Sequence, residues 1–235
     1  MGKRGSEVAR QAASLILIDD NLSHMVEAIS IGRRIYENLK KAIQYIISIH
    51  IPIILMVFIP LAFGFLYPHI FSPIHIIFLE IIMGPTCSIL YENEPMEENT
   101  MLKKPKKLTT TFFNWKELSV SVFQGLMITA GTLFVYQYSV FNEYNEALTR
   151  TMTFTVLISA NIFLTLINRS FYYSILRTLK YKNDMVLFII SITIAIVGLI
   201  LYVNPLTAFF EFETLNLKQL LISILIHENI RFYPC

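Results

Sequence analysis

Charge is scarce in this sequence. Only 15% of its 235 residues are Asp, Glu, Lys or Arg, against about 25% in a soluble domain. Apolar and aromatic residues make up 54% even with glycine left out. Such a chain has too few polar groups to cover a surface in water, which excludes an ordinary soluble globule. The same figures exclude disorder, which needs low hydrophobicity and high net charge. A formal charge of +2 is too small to point to nucleic acid. Two cysteines cannot build a disulfide framework. No cleavable signal peptide is visible either. The first dozen residues are polar, and the early apolar run Leu15–Ile18 is too short for a signal core.

What is present is a series of long apolar stretches. A transmembrane helix needs about 20 mostly apolar residues, and six stretches qualify: Ala42–Leu66, Ser72–Tyr91, Trp115–Phe141, Arg150–Asn168, Met185–Val203 and Leu215–Phe232. The second and fourth are short and carry polar residues. Lipid forces all of them to be helices, because each backbone group must find its partner within the segment. With six spans, seventeen of the nineteen basic residues fall on one side, and only Arg150 and Lys218 on the other. The positive-inside rule then places both termini in the cytoplasm of a multi-pass cell-membrane protein. Trp115 and Tyr202 suit interfacial anchoring. Ser121 and Gly125 form a small-residue pair suited to close helix packing, and Cys87 reads as core.

Residues 1–41 read differently. Ser6–Ala13 resembles a short helix end, and Leu15–Ile18 reads as a buried strand closed by the turn Asp19-Asp20-Asn21. Asp20 or Asn21 then caps a helix. Leu22, Met25, Val26 and Ile29 give it one apolar face, and it runs toward the first span as a stalk. Some 40 residues are too few for a domain, so this segment reads as the tail of a soluble domain. The expected fold is an all-α polytopic membrane protein of six transmembrane helices with a short α/β remnant at its N-terminus. Its parts are 1–41 (domain tail and stalk), 42–91 (first two membrane helices), 92–114 (cytoplasmic loop) and 115–235 (a four-helix membrane block).

Polar groups at membrane depth are costly unless they are paired or functional. His50, Glu80 and Asn161 stand near the middles of their spans, within roughly 5 Å of one depth at 1.5 Å per residue. Pro52 lies inside the first span and Gly84-Pro85 inside the second. Each proline frees the carbonyl four residues earlier, those of Ser48 and Ile81. Broken membrane helices with free carbonyls are a recurring cation site, and oxygen donors suit hard cations. Glu80, His50, Asn161, Ser48, Ile81 and Gly84 are therefore the candidate ion-binding positions, with Glu80 and Asn161 as the metal ligands. The plainer alternatives are packing kinks at the prolines, helix–helix hydrogen bonds from His50 and Asn161, and a protonated structural Glu80.

Two stretches carry a family resemblance. The first is Met1–Asn21 with Gly32-Arg-Arg-Ile-Tyr-Glu-Asn-Leu-Lys-Lys41. The second is Glu80-Ile-Ile-Met-Gly-Pro-Thr-Cys-Ser-Ile-Leu-Tyr-Glu-Asn-Glu-Pro95. Together they resemble the end of the phosphorylation domain and the fifth and sixth membrane helices of P-type cation-transporting ATPases, in particular bacterial pumps of the calcium-type branch. The last four spans, with Leu201-Tyr-Val-Asn-Pro-Leu206, are similar to that family's C-terminal membrane block. The resemblance implies an ATP-driven cation pump that uses Mg and ATP when complete. Its phosphorylation motif Asp-Lys-Thr-Gly-Thr and its Mg-binding motif Gly-Asp-Gly-x-Asn-Asp do not occur in this sequence. A truncated piece that does not hydrolyse ATP alone is the expectation, with the lipid bilayer, a transported cation and the missing N-terminal half of the pump as its partners. The resemblance also implies that Glu80 and Asn161 fall at ligand positions and that His50 replaces an Asn. Ile53 and Gly84 stand where calcium pumps carry carboxylates, which favours one ion or a proton over a two-calcium site. In the family the loop carrying Glu92, Glu94, Lys103 and Lys104 couples the soluble and membrane parts. The reading from another class is a non-enzymatic remnant, an accessory subunit or a passive ion pathway.

Overall fold

The computed structural model describes residue 2 and residues 5–104, 112–170 and 183–225. The expected basic charges at Lys3, Arg4, Lys106, Lys107, Arg177, Lys180, Lys182 and Arg231 lie outside them, as do residues 226–232 of the sixth span. After the short helix α1 (Glu7–Ala12), helix α2 (Leu22–Ala62) fuses stalk and first span into one rod of 41 residues. Asn21 starts it by accepting from Ser23 N at 3.0 Å. Gly64, at φ +62°, follows its end, a left-handed position that suits glycine. Between them one face, including Asn38, Lys41, Tyr45, Ser48, Pro52 and Met56, is buried at helical spacing.

Helix α3 (Pro73–Pro85) begins with proline in its first turn, where the missing N–H costs nothing. Beyond Pro85 it widens into a π turn over Thr86–Leu90. Such turns occur mostly as single-turn bulges inside α-helices. Helix α4 (Trp115–Phe141) matches its expected boundaries, with Asn114 and Glu117 capping each other's backbone. Helix α5 (Glu146–Ile167) is the centre of the bundle, because every residue from Leu148 to Asn161 is buried. Its polar content reflects that position. The hydroxyls of Thr151, Thr153, Thr155, Ser159 and Thr165 each donate to the carbonyl four residues earlier, so none needs water. Helices α6 (Asp184–Tyr202), α7 (Asn204–Phe209) and α8 (Leu217–Leu225) complete the described chain.

Among the described residues five helices are long and apolar enough to cross a membrane: α2, α3 with its π turn, α4, α5 and α6. The sixth span is represented by α8. α2 packs along α4, α4 against α5, and α5 against α8. At the α4–α5 turn the buried Arg150 ties three segments together, donating to Ile70 O at 2.8 Å, to Glu211 Oε2 at 2.8 Å and to Glu146 Oε1 at 2.6 Å. Asn145 caps α5 through Leu148 N at 2.8 Å. Beside them Phe71, His75, Phe154, Phe210 and Phe212 form an aromatic cluster. His75 accepts from Ser72 N and donates through Nε2 to Phe210 O at 2.7 Å.

One expectation fails at the N-terminus. Leu15–Ile18 forms no strand, and Leu15, Ile16 and Ile18 are exposed. A strand needs a neighbour to pair with and a layer to cover it, and the hydrogen bonds that reach this segment are those of a turn and the N-terminus: Gly2 N and Asp20 N donate to Leu17 O at 2.7 and 3.2 Å.

Candidate functional site

His50 and Glu80 come together across α2 and α3. His50 Nε2 stands 3.1 Å from Glu80 Oε1, with the side chains 38% and 47% exposed. The other ring nitrogen, Nδ1, lies 2.8 Å from Ile46 O, one turn back on α2. A carbonyl only accepts, so Nδ1 carries a hydrogen. A hydrogen bond between Nε2 and the Glu80 carboxyl would take one further proton. Ile81 and Gly84 share the outward side of α3 with Glu80. A Cβ added at Gly84 would meet nothing within 4 Å. The Gly84 carbonyl accepts from Ser88 Oγ at 2.9 Å.

The other candidates point inward. Pro52 does release the Ser48 carbonyl, but α4 covers it. A Cβ built on Gly125 would lie 2.9 Å from Ser48 O, so the glycine sits directly against that oxygen. The Ser48 hydroxyl lies 2.9 Å from Gln44 O and 3.0 Å from Gln124 Oε1. Asn161 also differs from expectation. Its oxygen, the atom able to bind a metal, accepts from Tyr45 OH at 2.8 Å inside the bundle. The candidates therefore divide into an outward His50–Glu80 pair, with Ile81 and Gly84 beside it, and an inward set, Ser48 on α2 and Asn161 on α5. Among the described residues no three His, Cys, Asp or Glu side chains converge to hold a metal ion, so a cation at Glu80 would rely on carbonyl or water oxygens as well.

The loop between α3 and α4 is bound more tightly than its charge pattern implied. Glu94 is only 1% exposed. One carboxylate oxygen accepts from Arg169 Nε at 3.0 Å and the other from Asn183 Nδ2 at 2.7 Å. Its backbone carbonyl accepts from Asn38 Nδ2 at 2.7 Å. Three residues on, Glu97 accepts from Lys41 Nζ at 2.9 Å, again fully buried. Glu37 accepts from Lys103 Nζ at 2.6 Å and from Thr100 Oγ1 at 2.7 Å. Burial alone would raise the Glu37 carboxyl. The hydrogen bonds from Lys103 and Thr100, with the charges of Lys103 and Lys41, outweigh it and hold the group below its usual range. Arg33 donates to the carbonyls of Thr100 and Lys103, both at 2.9 Å. The loop is thus strapped along the stalk face of α2 and tied through Glu94 to the ends of α5 and α6. Glu92 and Lys104 are exposed.

Sequence reasoning missed Lys41, Arg169 and Asn183. A signal existed for the first, because Asn38, Lys41, Tyr45 and Ser48 form a polar stripe at helical spacing. For Arg169 and Asn183 no local pattern names the partner.

Residues 68–227 match the family described as cation transporting ATPase, C-terminus. The chain is 28% identical over 227 residues to calcium-transporting ATPase 1 of Schizosaccharomyces pombe, which covers 95% of this chain and 25% of the relative. It is 27% identical to the human calcium-transporting ATPase type 2C member 1, covering 95% of the chain and 24% of the relative. Against calcium-transporting ATPase 1 of Lactococcus lactis it is 30% identical over 195 residues, which is 83% of the chain and 22% of the relative. The chain therefore spans about a quarter of the length of these relatives.

Proposed function

The chain belongs to the cation-transporting ATPase family through the C-terminal membrane segment of that family, and we propose that it forms the membrane part of an ATP-driven cation pump, with its ion site at His50 and Glu80. The observation that carries this is the 3.1 Å contact between those two side chains on neighbouring membrane helices. Ionisable groups at membrane depth are rare and mark ion pathways. Each of the two also stands close to a helix-breaking proline, Pro52 or Pro85.

The pair holds one shared proton between an imidazole and a carboxyl. A cation arriving at Glu80 needs the carboxylate, so its binding expels that proton, as metal binding to protonatable ligands generally does. Cation uptake and proton release are then linked at one site. The relatives are named as calcium-transporting. In this chain, with Ile at 53 and Gly at 84, a single ion exchanging with a proton fits the donors better than two calcium ions. The free carbonyl of Ile81 and the open side of Gly84 supply further room and oxygen on the same face.

In the complete pump, Mg and ATP act on a phosphorylated Asp outside these 235 residues, and the N-terminal half of the pump is the partner that drives α2. The rod of α2 and the loop strapped to it carry that motion to the His50–Glu80 level. The protein lies in the cell membrane with both termini cytoplasmic. The test is Glu80→Ala in the complete pump, for which ion-stimulated ATPase activity is expected to vanish. Unchanged ion affinity in that variant would overturn the assignment of the site.

A further inference from the structure

His50 brings a nitrogen to a place where Glu80 brings oxygen, and that nitrogen is held as a metal ligand needs to be. Nδ1 donates to Ile46 O at 2.8 Å. The lone pair of the neutral imidazole then lies on Nε2, the atom that faces Glu80. A histidine that binds a metal almost always spends its other N–H on a carbonyl, a carboxylate or water, which fixes both tautomer and ring orientation.

The spacing of the pair also suits a small ion. Nε2 and Glu80 Oε1 stand 3.1 Å apart. Bonds from zinc to nitrogen and to carboxylate oxygen are about 2.0–2.2 Å long, so an ion about 2.1 Å from both atoms subtends an angle of roughly 95° between them. That lies between the right angle of an octahedral shell and the tetrahedral angle. There is room for the rest of the shell. The two side chains are about half open, and a Cβ added at Gly84, one turn on from Glu80, would meet nothing within 4 Å. Pro85 offers no N–H to the Ile81 carbonyl. Among the described residues no third His, Cys, Asp or Glu joins the pair, so carbonyl and water oxygens complete the coordination.

We infer that this site selects a divalent transition-metal cation of the zinc type over calcium, with His50 Nε2 and Glu80 Oε1 as two of its ligands. The inference rests on the assignment of the ion site to His50 and Glu80. Imidazole suits zinc, nickel, copper and iron, whereas calcium takes about 6–8 oxygen ligands. The side chains of Ile53 and Gly84 add no oxygen. One nitrogen in a small donor set therefore weakens the site for calcium and strengthens it for a borderline ion.

Equilibrium dialysis with radioactive zinc tests this on the 235-residue chain in lipid nanodiscs. The chain carries His24→Asn, which removes a second histidine–carboxylate contact, with Asp19 at 3.6 Å on the exposed stalk. Zinc is expected to stay bound in a large excess of calcium, and its X-ray absorption spectrum to show imidazole scattering. Adding His50→Asn should diminish that scattering. It should also lower zinc affinity at least about tenfold, because loss of even an outer partner of a metal ligand costs about 10–100-fold. Calcium affinity should stay the same or rise in that variant, which a fold defect would not allow. Displacement of zinc by an equal concentration of calcium, unchanged zinc affinity in His50→Asn, or no zinc binding at all overturns the inference. Calcium held by the parent chain but lost in Glu80→Ala, beside any of those results, leaves the ion site itself standing. Zinc affinity unchanged in Glu80→Ala overturns the site as well.

Discussion

Lys41→Met leaves the Glu97 carboxylate buried without a counter-charge. Breaking such a pair on one side costs about 3–5 kcal/mol, whereas replacing both members by apolar residues is often neutral. Thermal unfolding in detergent is expected to show a large loss for Lys41→Met and recovery of most of it in Lys41→Met with Glu97→Leu. Glu37 gives a pH signature. Its folded carboxyl is held below the usual value, so its stabilisation is full above the unfolded value of about 4.3 and disappears as pH falls through the lower folded value. The stability gap between the native chain and Glu37→Gln is therefore expected at neutral pH and absent at the acid end of a titration followed by unfolding temperature. Residues of this kind were only partly legible in the sequence. Glu80 and His50 stand out because each is a lone ionisable group in an apolar run. Lys41 and Arg169 were absorbed into a count of positive charge on the cytoplasmic side. Their partners lie 56 and 75 residues away, a distance no local pattern reports.

Among the elements, the contact of α2 with α4 depends on one glycine. A Cβ at Gly125 would sit 2.7 Å from Ile51 Cβ and 2.9 Å from Ser48 O. Neither the backbone oxygen nor a β-branched carbon moves aside, so Gly125→Ala must separate the helices. A loss of about 1–3 kcal/mol is expected, the usual range for overpacking. Gly198→Ala, which meets nothing within 4 Å, is the control and should leave the unfolding temperature unchanged or slightly raised. The small-residue pair Ser121–Gly125 was readable as a packing signal, but not which helix it receives. The reverse holds for α5. Its threonines and serines made it look like a weak span, because hydropathy counts a hydroxyl as polar and does not see that it bonds to its own helix. Leu15–Ile18 was misread because a short apolar run carries no information about what lies beside it.

For the molecule as a whole, the boundaries of the second to fifth spans were legible to within a few residues, since bilayer thickness sets a minimum apolar length; the start of the first was not, because its helix runs on from the stalk. The order in which the spans pack was not, because lipid-facing and protein-facing apolar residues look alike in sequence. The proposed topology places Lys104 in the cytoplasm and Glu143 outside. In a chain with Cys87 and Cys235 replaced by serine, a cysteine at position 143 is expected to react with an impermeant maleimide in intact cells. A cysteine at position 104 should react only after permeabilisation, and the opposite pattern would invert the topology.

The buried carboxylate of Glu94 also has a place in time. Ribosomes add about 5–20 residues per second, so Arg169, made 75 residues later, arrives on the order of ten seconds after Glu94. During that interval the loop has no buried counter-charge from α5. Arg169 reaches Glu94 only when α4 and α5 have both crossed the bilayer as a hairpin, and Asn183 follows at the start of α6. Closure of the loop around Glu94 is thus a late event in biogenesis, and one that a chain with a failed α4–α5 insertion does not complete.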